Sequence, residues 1–233
     1  MRYRRLHSWK VTTAKARALQ LELAPRLHTR PLPRHPALVA GADMSFSKQH
    51  GVFFAAVIVL SLPGLEVVEL VSARHQPTFP YVPGLLTFRE GPVLLAAIRK
   101  LRHTPDVFMF DGQGIAHPRR MGLAAHMGLW LDIPSVGCAK SRLIGTHAEP
   151  GPGRGSCVAL FDGQERIGSV LRTRDRVKPL FISPGHLADF DSSSRLVLEC
   201  CTRYRLPEPT RLADIEVARV KRDYLESLDR DPD

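Results

Sequence analysis

Long apolar runs are scarce in this sequence of 233 residues. The longest covers residues 52–60, well short of the roughly 20 apolar residues that a membrane-spanning helix needs. The basic amino terminus, MRYRRLHSWK, is not followed by the apolar stretch of a signal peptide. The sequence therefore predicts a protein without a membrane partner.

Cysteine is also sparse, and none of the four cysteines belongs to a C-x-x-C pair. This spacing argues against a zinc ribbon and against a thiol redox motif. Reduced thiols in a cytoplasmic protein are the simplest interpretation. Because no internal repeat or coiled-coil pattern is visible, we expect a monomer with a single domain over residues 1–233. The cysteines are Cys138, Cys157, Cys200 and Cys201.

Acidic residues are outnumbered by basic ones, 23 to 33, which gives a net charge of +10. A surplus of this size favours an anionic partner, either nucleic acid or a membrane surface, and an inert basic surface is the alternative. The Gly/Pro-rich stretch GPGRGS at 151–156 is not a phosphate-binding P-loop, because it lacks the Gly-Lys-Ser/Thr ending. It is either a flexible loop facing DNA or an inert connection.

The first half of the chain alternates strands and helices in a definite order. Val11, Ala14, Ala18 and Leu21 predict an amphipathic helix over residues 8–24, and a linker with four prolines follows it. Short connectors favour antiparallel pairing of the first three strands. The order β-β-β-α-β-α-β predicts an α/β fold with a mixed sheet flanked by helices. We place strands at 37–44, 52–61, 66–74, 107–110 and 135–139, and helices at 85–101 and 119–131.

The second half of the chain adds a hairpin, a short strand and two helices. Asp162-Gly163-Gln164 joins the two hairpin strands, Asp191 is the predicted N-cap of the first helix, and Pro92 of the earlier helix fits its first turn. The predicted ranges are strands 156–161, 165–173 and 180–183, and helices 191–204 and 210–228.

Three acidic residues stand at the ends of predicted elements. Asp43 lies late in the first strand, Glu90 at the start of a helix and Asp111 just past the fourth strand. Each taken alone fits a turn or a helix cap. Together they fit one site, because strands one and four can be neighbours, and clustered carboxylates favour Mg²⁺, with Mn²⁺ as a substitute. The arrangement resembles the ribonuclease H-like fold.

Longer motifs narrow this resemblance to one family. The blocks VAGADMSF (39–46), PYVPGLLTFREGP (80–92), FDGQGIAHPRRMGLAAHMGLWLDIPSVGCAKSRLIG (110–145), SPGH (183–186) and RLPEPTRLAD (205–214) resemble those of endonuclease V. The resemblance implies a DNA repair endonuclease that recognises deoxyinosine, which is deaminated adenine. Such an enzyme hydrolyses the second phosphodiester bond 3′ to the lesion and leaves 3′-hydroxyl and 5′-phosphate ends.

The resemblance also assigns roles to residues. Asp43, Glu90 and Asp111 would bind the metal and act in catalysis, together with His186 and Lys140. Tyr81 in the loop 80–84, here called the wedge loop, would enter the base stack. The pocket for the flipped base would include Tyr81, Gly84, Leu86, Gly112, His117, Gly122 and Leu143, and Arg119 and Arg120 would contact phosphates.

Each role has a plainer alternative. His186 could be a loop histidine bonded to backbone, Lys140 a solvated lysine, and Tyr81 a core residue. At the level of the whole protein, a junction resolvase or a non-catalytic nucleic-acid-binding module could use the same fold. An endoribonuclease acting on inosine in RNA is a further possibility, because contacts to the 2′-hydroxyl depend on loop geometry.

Overall fold

The computed structural model describes residue 1 and residues 3–230. The strands are β1 (Leu38–Ser47), β2 (Val52–Ser61), β3 (Val67–His75), β4 (Val107–Phe110), β5 (Ser135–Ala139), β6 (Cys157–Asp162), β7 (Glu165–Leu171) and β8 (Leu180–Pro184). The helices are α1 (Thr13–Leu23), α2 (Leu86–Ile98), α3 (Leu123–Leu131), α4 (Phe190–Glu199) and α5 (Glu208–Arg230), and a 3₁₀ turn follows α1 at Ala24–Arg26.

All eight strands form one sheet in the order β3-β2-β1-β4-β5-β8-β7-β6. β1, β2 and β3 are antiparallel neighbours, while β4 pairs in parallel with both β1 and β5. The predicted mixed sheet, with three antiparallel strands followed by αβ units, is therefore confirmed. The chain has the ribonuclease H-like fold.

Two apolar layers cover the sheet. On one face, α2 and α3 bury side chains against the centre of the sheet, including Phe108 and Phe110. On the other face, α4 and α5 pack over side chains such as Val39, Met109 and Ile182. Because successive residues of a strand point to opposite faces, the two layers separate cleanly along β1 and β4. Among the described residues, none of the helices has the length and apolar character to cross a membrane.

The amino-terminal helix is shorter than predicted and presents a different face. It begins at Thr13, where Thr12 caps it by accepting a hydrogen bond from the Lys15 amide, so the expected start near residue 8 is wrong. Ala14, Ala18 and Leu21 are exposed. The buried residues are Ala16, Leu19, Gln20 and Leu23. A buried glutamine interrupts the apolar stripe, which is why the periodicity pointed to the wrong face.

Other helices also differ from the prediction: α3 begins at Leu123 instead of 119, and α4 ends at Glu199 instead of 204. Two residues predicted at helix starts occupy other positions. α2 begins at Leu86, so Glu90 lies in its second turn and Pro92 lies inside it, where a missing N–H leaves one helical hydrogen bond unmade. The N-cap of α4 is Asp189, whose carboxylate accepts the Ser192 amide at 2.8 Å, and Asp191 lies in the first turn.

Candidate active site

The pairing of β1 with β4 brings the first two acids together. Ala42 is the register partner of Phe110, and the Asp111 amide lies 3.4 Å from the Ala42 carbonyl. Asp43 and Asp111 each follow these residues, so both leave the sheet on the same face and at the same level. The prediction that strands one and four are neighbours is thus confirmed.

Glu90 approaches the same place from the helical side. It lies in α2, after the wedge loop, and lines one cleft together with Asp43 and Asp111. The cleft has a volume of about 530 Å³, within the ~300–1,000 Å³ range of ligand clefts. We call it the carboxylate cleft, and its remaining lining residues are Met44, Tyr81, Pro83, Gly84, Leu86, Thr87, Gly112, Gln113, His117, Gly122, Leu123, Ala139, Lys140, Ser141, Arg142 and Leu143.

A fourth acid, Asp214, reaches Asp43 from α5, and the sequence analysis missed it. A Cβ on Gly41 would lie 2.0 Å from the backbone of Pro209, so only glycine lets the start of α5 approach β1 so closely. From Pro209 to Asp214 the helix rises about 7–8 Å, close to the ~7 Å from Gly41 to Asp43 along the strand. The charge of Asp214 acts on the carboxyl group of Asp43 and contributes to raising its pKa. The only sequence signal was that the block RLPEPTRLAD ends at this residue.

The cleft holds its carboxyl groups in an unfavourable setting for negative charge. Burial, together with the charges of Asp111 and Asp214, raises the pKa of Asp43 to about 8. Burial raises the pKa of Glu90 to about 7, against the opposing charge of Arg89. Desolvation and like charges are the two causes that raise a carboxyl pKa. Arg89 only partly offsets the burial of Glu90, and one lysine contacts the acidic group of the cleft directly.

That lysine is Lys140, at the carboxyl end of β5. Its ammonium lies 2.6 Å from the Asp111 carboxylate, and nearly half of its side chain is exposed. Partial burial opposes its charge, but the hydrogen bond and the charge of Asp111 outweigh it, so the pKa of Lys140 is raised. Lys140 is thus a fixed cation at the rim of the cleft.

The wedge loop forms the opposite wall. Tyr81 is 69% exposed, which is unusual for a large aromatic side chain, and it lines the cleft mouth. This exposure contradicts the alternative of a core tyrosine, and the role of Tyr81 as a wedge stays a prediction. Pro83 stiffens the loop, and Gly84 takes a φ of +76° in the left-handed region, which glycine adopts without strain.

These positions agree with comparisons to known proteins. The Endonuclease V family profile matches residues 21–215. The chain belongs to the Endonuclease V family. An endonuclease V from Alkalilimnicola ehrlichii is 51% identical over 212 residues, which cover 91% of this chain and 93% of that protein.

Two solved structures extend the similarity to the fold. Endonuclease V from Streptomyces avermitilis superposes with a TM-score of 0.89 at 39% identity, and the match covers 94% of this chain and 96% of that one. Endonuclease V from Ciona intestinalis was solved with a 24-mer DNA containing an inosine followed by a ribo-adenosine. It gives a TM-score of 0.78 at 26% identity, covering 91% of this chain and 98% of that one. The family is one of nucleases, and this chain is an endonuclease of that family.

Two predicted pocket residues already form contacts within the protein. His117 donates from Nε2 to the Gly84 carbonyl at 3.0 Å, and its Nδ1 accepts the Arg119 amide at 3.2 Å. Burial and the charge of Arg119 lower the pKa of His117 to about 4, so the ring is neutral. A Cβ on Gly122 would lie 2.4 Å from the Gln113 carbonyl, so this glycine is required by packing. Both residues shape the cleft wall, and both ring nitrogens of His117 are engaged within the protein.

His186 does not line the carboxylate cleft, and this position argues against the catalytic role expected for it. The ring is buried at the amino end of β5, where the His186 amide donates a hydrogen bond to the Ser135 hydroxyl oxygen at 2.9 Å. Its Nδ1 accepts the His28 amide at 3.3 Å, and its Nε2 lies 3.5 Å from the Asp132 carboxylate. The cleft lies at the carboxyl end of the same strand, so His186 ties the linker to the sheet.

Arg119 and Arg120 also lie outside the lining of the cleft. Arg119 points inward, donating to Gln20 and to the Gly84 carbonyl. Arg120 forms ion pairs at 2.8 Å with Asp162 and at 2.6 Å with Glu165, in the hairpin that joins β6 to β7. Neither guanidinium is a free surface cation. The geometry favours structural roles for both over the predicted phosphate contacts.

A second cavity, of about 760 Å³, is larger than the carboxylate cleft. It lies where β1 begins and β2 ends, at the other end of the sheet, and Arg34, His35 and Arg195 line it. None of the candidate site residues is near it. Volume alone therefore does not identify the active site, whereas the converging carboxyl groups do.

Proposed function

We propose that this chain is a divalent-cation-dependent DNA endonuclease that recognises deoxyinosine and hydrolyses the second phosphodiester bond on its 3′ side, leaving 3′-hydroxyl and 5′-phosphate ends. One observation carries the proposal. A single cleft combines buried carboxyl groups on one wall with an exposed aromatic wedge on the other. The first wall suits phosphodiester hydrolysis, and the second suits extrusion of a base.

The donor chemistry of the cleft fits a hard divalent cation. Asp43, Glu90, Asp111 and Asp214 offer only oxygen ligands, which Mg²⁺ and Mn²⁺ prefer. The raised pKa values of Asp43 and Glu90 indicate uncompensated negative charge, which a cation would balance. In the described part of the chain, no three His, Cys, Asp or Glu side chains form a complete cation site as they stand. Asp111 instead forms an ion pair with the Lys140 ammonium.

The side chains divide the chemical work. When bound, a divalent cation supplies Lewis-acid stabilisation of the charge that develops on the phosphodiester. Lys140 places a fixed positive charge at the rim, where it can hold a phosphate oxygen. Without a cation, burial and the charge of Asp111 favour the protonated form of Asp43 near neutral pH, because they raise its pKa to about 8.

Recognition would rest on the wedge side of the cleft. Tyr81 offers a flat ring to replace the base that leaves the stack, offsetting an unstacking free energy of a few kcal/mol. Hypoxanthine presents O6 as an acceptor and N1–H as a donor, and adenine reverses both, so groups of fixed polarity would separate the two bases. The inosine-containing DNA in the Ciona intestinalis complex supports this substrate class for the present chain.

The test is cleavage of end-labelled oligonucleotides that differ only in carrying inosine, adenine or guanine at one position. We expect cleavage of the inosine strand alone, with product ends at the second phosphodiester on the 3′ side, abolished by chelation and restored by Mg²⁺ or Mn²⁺. Asp43→Asn, Glu90→Gln, Asp111→Asn and Asp214→Asn should each lower the rate roughly 100-fold or more. Asp191→Asn, a largely exposed carboxylate far from the cleft, is the matched control.

Two outcomes would contradict the proposal. Cleavage that is equally fast on all three bases would remove the assigned specificity, and full activity in excess chelator would remove the cation. Matched RNA strands belong in the same experiment. Faster cleavage of inosine in RNA than in DNA would replace the DNA substrate with an RNA substrate.

A further inference from the structure

Gln20 is the only polar side chain on the buried face of α1, within the described residues of that helix, and it is fully buried. Its amide nitrogen donates to the Gly84 carbonyl at 3.0 Å and to the Met121 carbonyl at 3.1 Å. Its amide oxygen accepts from Arg119 Nε at 2.6 Å. This pattern fixes the orientation of the amide, because the reverse would set its oxygen against two carbonyl oxygens.

The two carbonyl groups belong to the two walls around the predicted base pocket. Gly84 closes the wedge loop, three residues after Tyr81. Met121 immediately precedes Gly122 in the loop that leads to α3. These loops are distant in sequence, and a single amide on α1 bridges them.

The Gly84 carbonyl is held from several directions at once. It accepts from Gln20, from His117 Nε2 at 3.0 Å and from Arg119 Nη2 at 2.8 Å. Three donors on one oxygen exceed its two lone pairs, and they fix the peptide whose residue has a φ of +76°. This peptide sets the direction in which the stiff loop carries Tyr81.

We propose that Gln20 is a positioning residue for base extrusion, which keeps the wedge loop ordered before DNA binds. The inference rests on the proposed function, and it adds a role for α1 that the carboxylate chemistry does not require. An ordered loop loses less conformational freedom when it enters the duplex, so pre-ordering strengthens binding without a new contact to DNA. Gln20 itself is buried and touches no substrate.

The test compares Gln20→Met with Tyr81→Ala on inosine in a paired duplex, in a mismatch and in a single strand. Methionine keeps the length and volume of the side chain and removes its hydrogen bonds. We expect both variants to lose roughly tenfold in kcat/KM on the paired duplex, through KM, and less than about twofold on the single strand. The reason is that only the paired duplex requires the wedge to act against stacking.

Leu196→Ala is the control for loss of fold stability, because Leu196 is buried in α4 and away from both loops. It should lower thermal stability and leave the ratio between the substrates unchanged. A Gln20→Met variant that loses activity equally on all three substrates, as a merely structural residue would, overturns the proposal. So does a variant that loses nothing on the paired duplex.

A readout without cleavage separates this inference from the proposed function. Amide hydrogen exchange over residues 80–88 should become faster in Gln20→Met and stay unchanged in Leu196→Ala. If the wild-type protein does not cleave inosine substrates but exchange responds in this way, the proposed function fails. The inference that Gln20 keeps the wedge loop ordered then stands. If cleavage is specific for inosine but exchange is the same in Gln20→Met and wild type, the inference that Gln20 orders the wedge loop is wrong.

Discussion

His117 stands at the junction between the wedge loop and the opposite wall of the cleft, with both ring nitrogens engaged. Its pKa of about 4 lies below the ordinary histidine value of 6.5, because of burial and the charge of Arg119. The folded protein therefore keeps the ring neutral in a pH range where the unfolded chain binds a proton. Stability from this residue is fully present above pH 6.5 and is lost as the pH falls towards 4.

This linkage predicts a pH-dependent difference between wild type and His117→Gln. The stability advantage of the wild type should shrink by about 1–3 kcal/mol between pH 7 and pH 4.5, measured from urea unfolding curves at several pH values. Gln20→Met is the matched control, because it removes a hydrogen bond to the same Gly84 carbonyl without removing a titrating group. Its difference from wild type should stay constant over that range. A constant difference for His117→Gln would mean that the ring titrates alike in both states.

At the same scale, the acidic residues of the cleft were easier to predict from the sequence than the buried polar side chain of Gln20. Asp43 and Asp111 were predictable because a carboxylate at the end of an apolar strand is conspicuous, and the strand order brings the two together. Gln20 was not, since its partners lie 64 to 101 residues away and nothing local marks it as buried. The role expected for His186 rested on a sequence motif, which does not specify how far the side chain lies from the acids. Its imidazole lies at the amino end of β5, and the cleft lies at the carboxyl end.

At the scale of elements, the placement of α5 depends on one glycine. The Cβ of an alanine at position 41 would overlap the backbone of Pro209, which cannot move without shifting the start of the helix. That shift would carry Asp214 away from Asp43, which it reaches only because the helix crosses β1 at this distance. Packing and chemistry are coupled here through the backbone.

Gly41→Ala should therefore lose both stability and activity. Overpacking against a backbone costs about 1–3 kcal/mol or more, which corresponds to a fall in Tm of roughly 2–12 °C for a domain of this size. Calorimetry and single-turnover cleavage would measure the two losses. Gly64→Ala is the control, because a Cβ there makes only ordinary contact with the Glu66 side chain. If Gly41→Ala keeps wild-type cleavage, Asp214 does not contribute to the site through this contact.

The elements themselves were largely readable in the sequence. β2 and β5 have the predicted bounds because both are continuous apolar runs between turn residues. The buried face of α1 was not predictable, because Gln20 breaks its apolar stripe. The start of α2 was predicted to within one residue, but Pro92 lies inside the helix and not in its first turn. The approach of α5 to β1 was also unpredictable, because it depends on tertiary packing.

At the scale of the whole molecule, part of the positive charge behind the net charge of +10 lies beside the cleft. Lys140 and Arg142 line it and are exposed, and Arg205 holds the Lys140 carbonyl at 2.9 Å and the Lys178 carbonyl at 2.7 Å. A duplex seated on the cleft would therefore meet several cations beside the scissile bond. Each phosphate they neutralise releases condensed counterions from the DNA.

Affinity for duplex DNA without inosine should fall steeply with salt for that reason. The slope of log K against log salt should be roughly −0.9 for each phosphate contacted, and Arg142→Ala should make it shallower by about one. Fluorescence anisotropy at several salt concentrations measures both slopes without any cleavage. Arg34→Ala is the matched control, because Arg34 is an exposed arginine at the other end of the sheet, and its slope should equal that of the wild type. Equal slopes for Arg142→Ala and wild type would place the DNA path away from this rim. A smaller slope for Arg34→Ala would place it across the opposite end of the sheet instead.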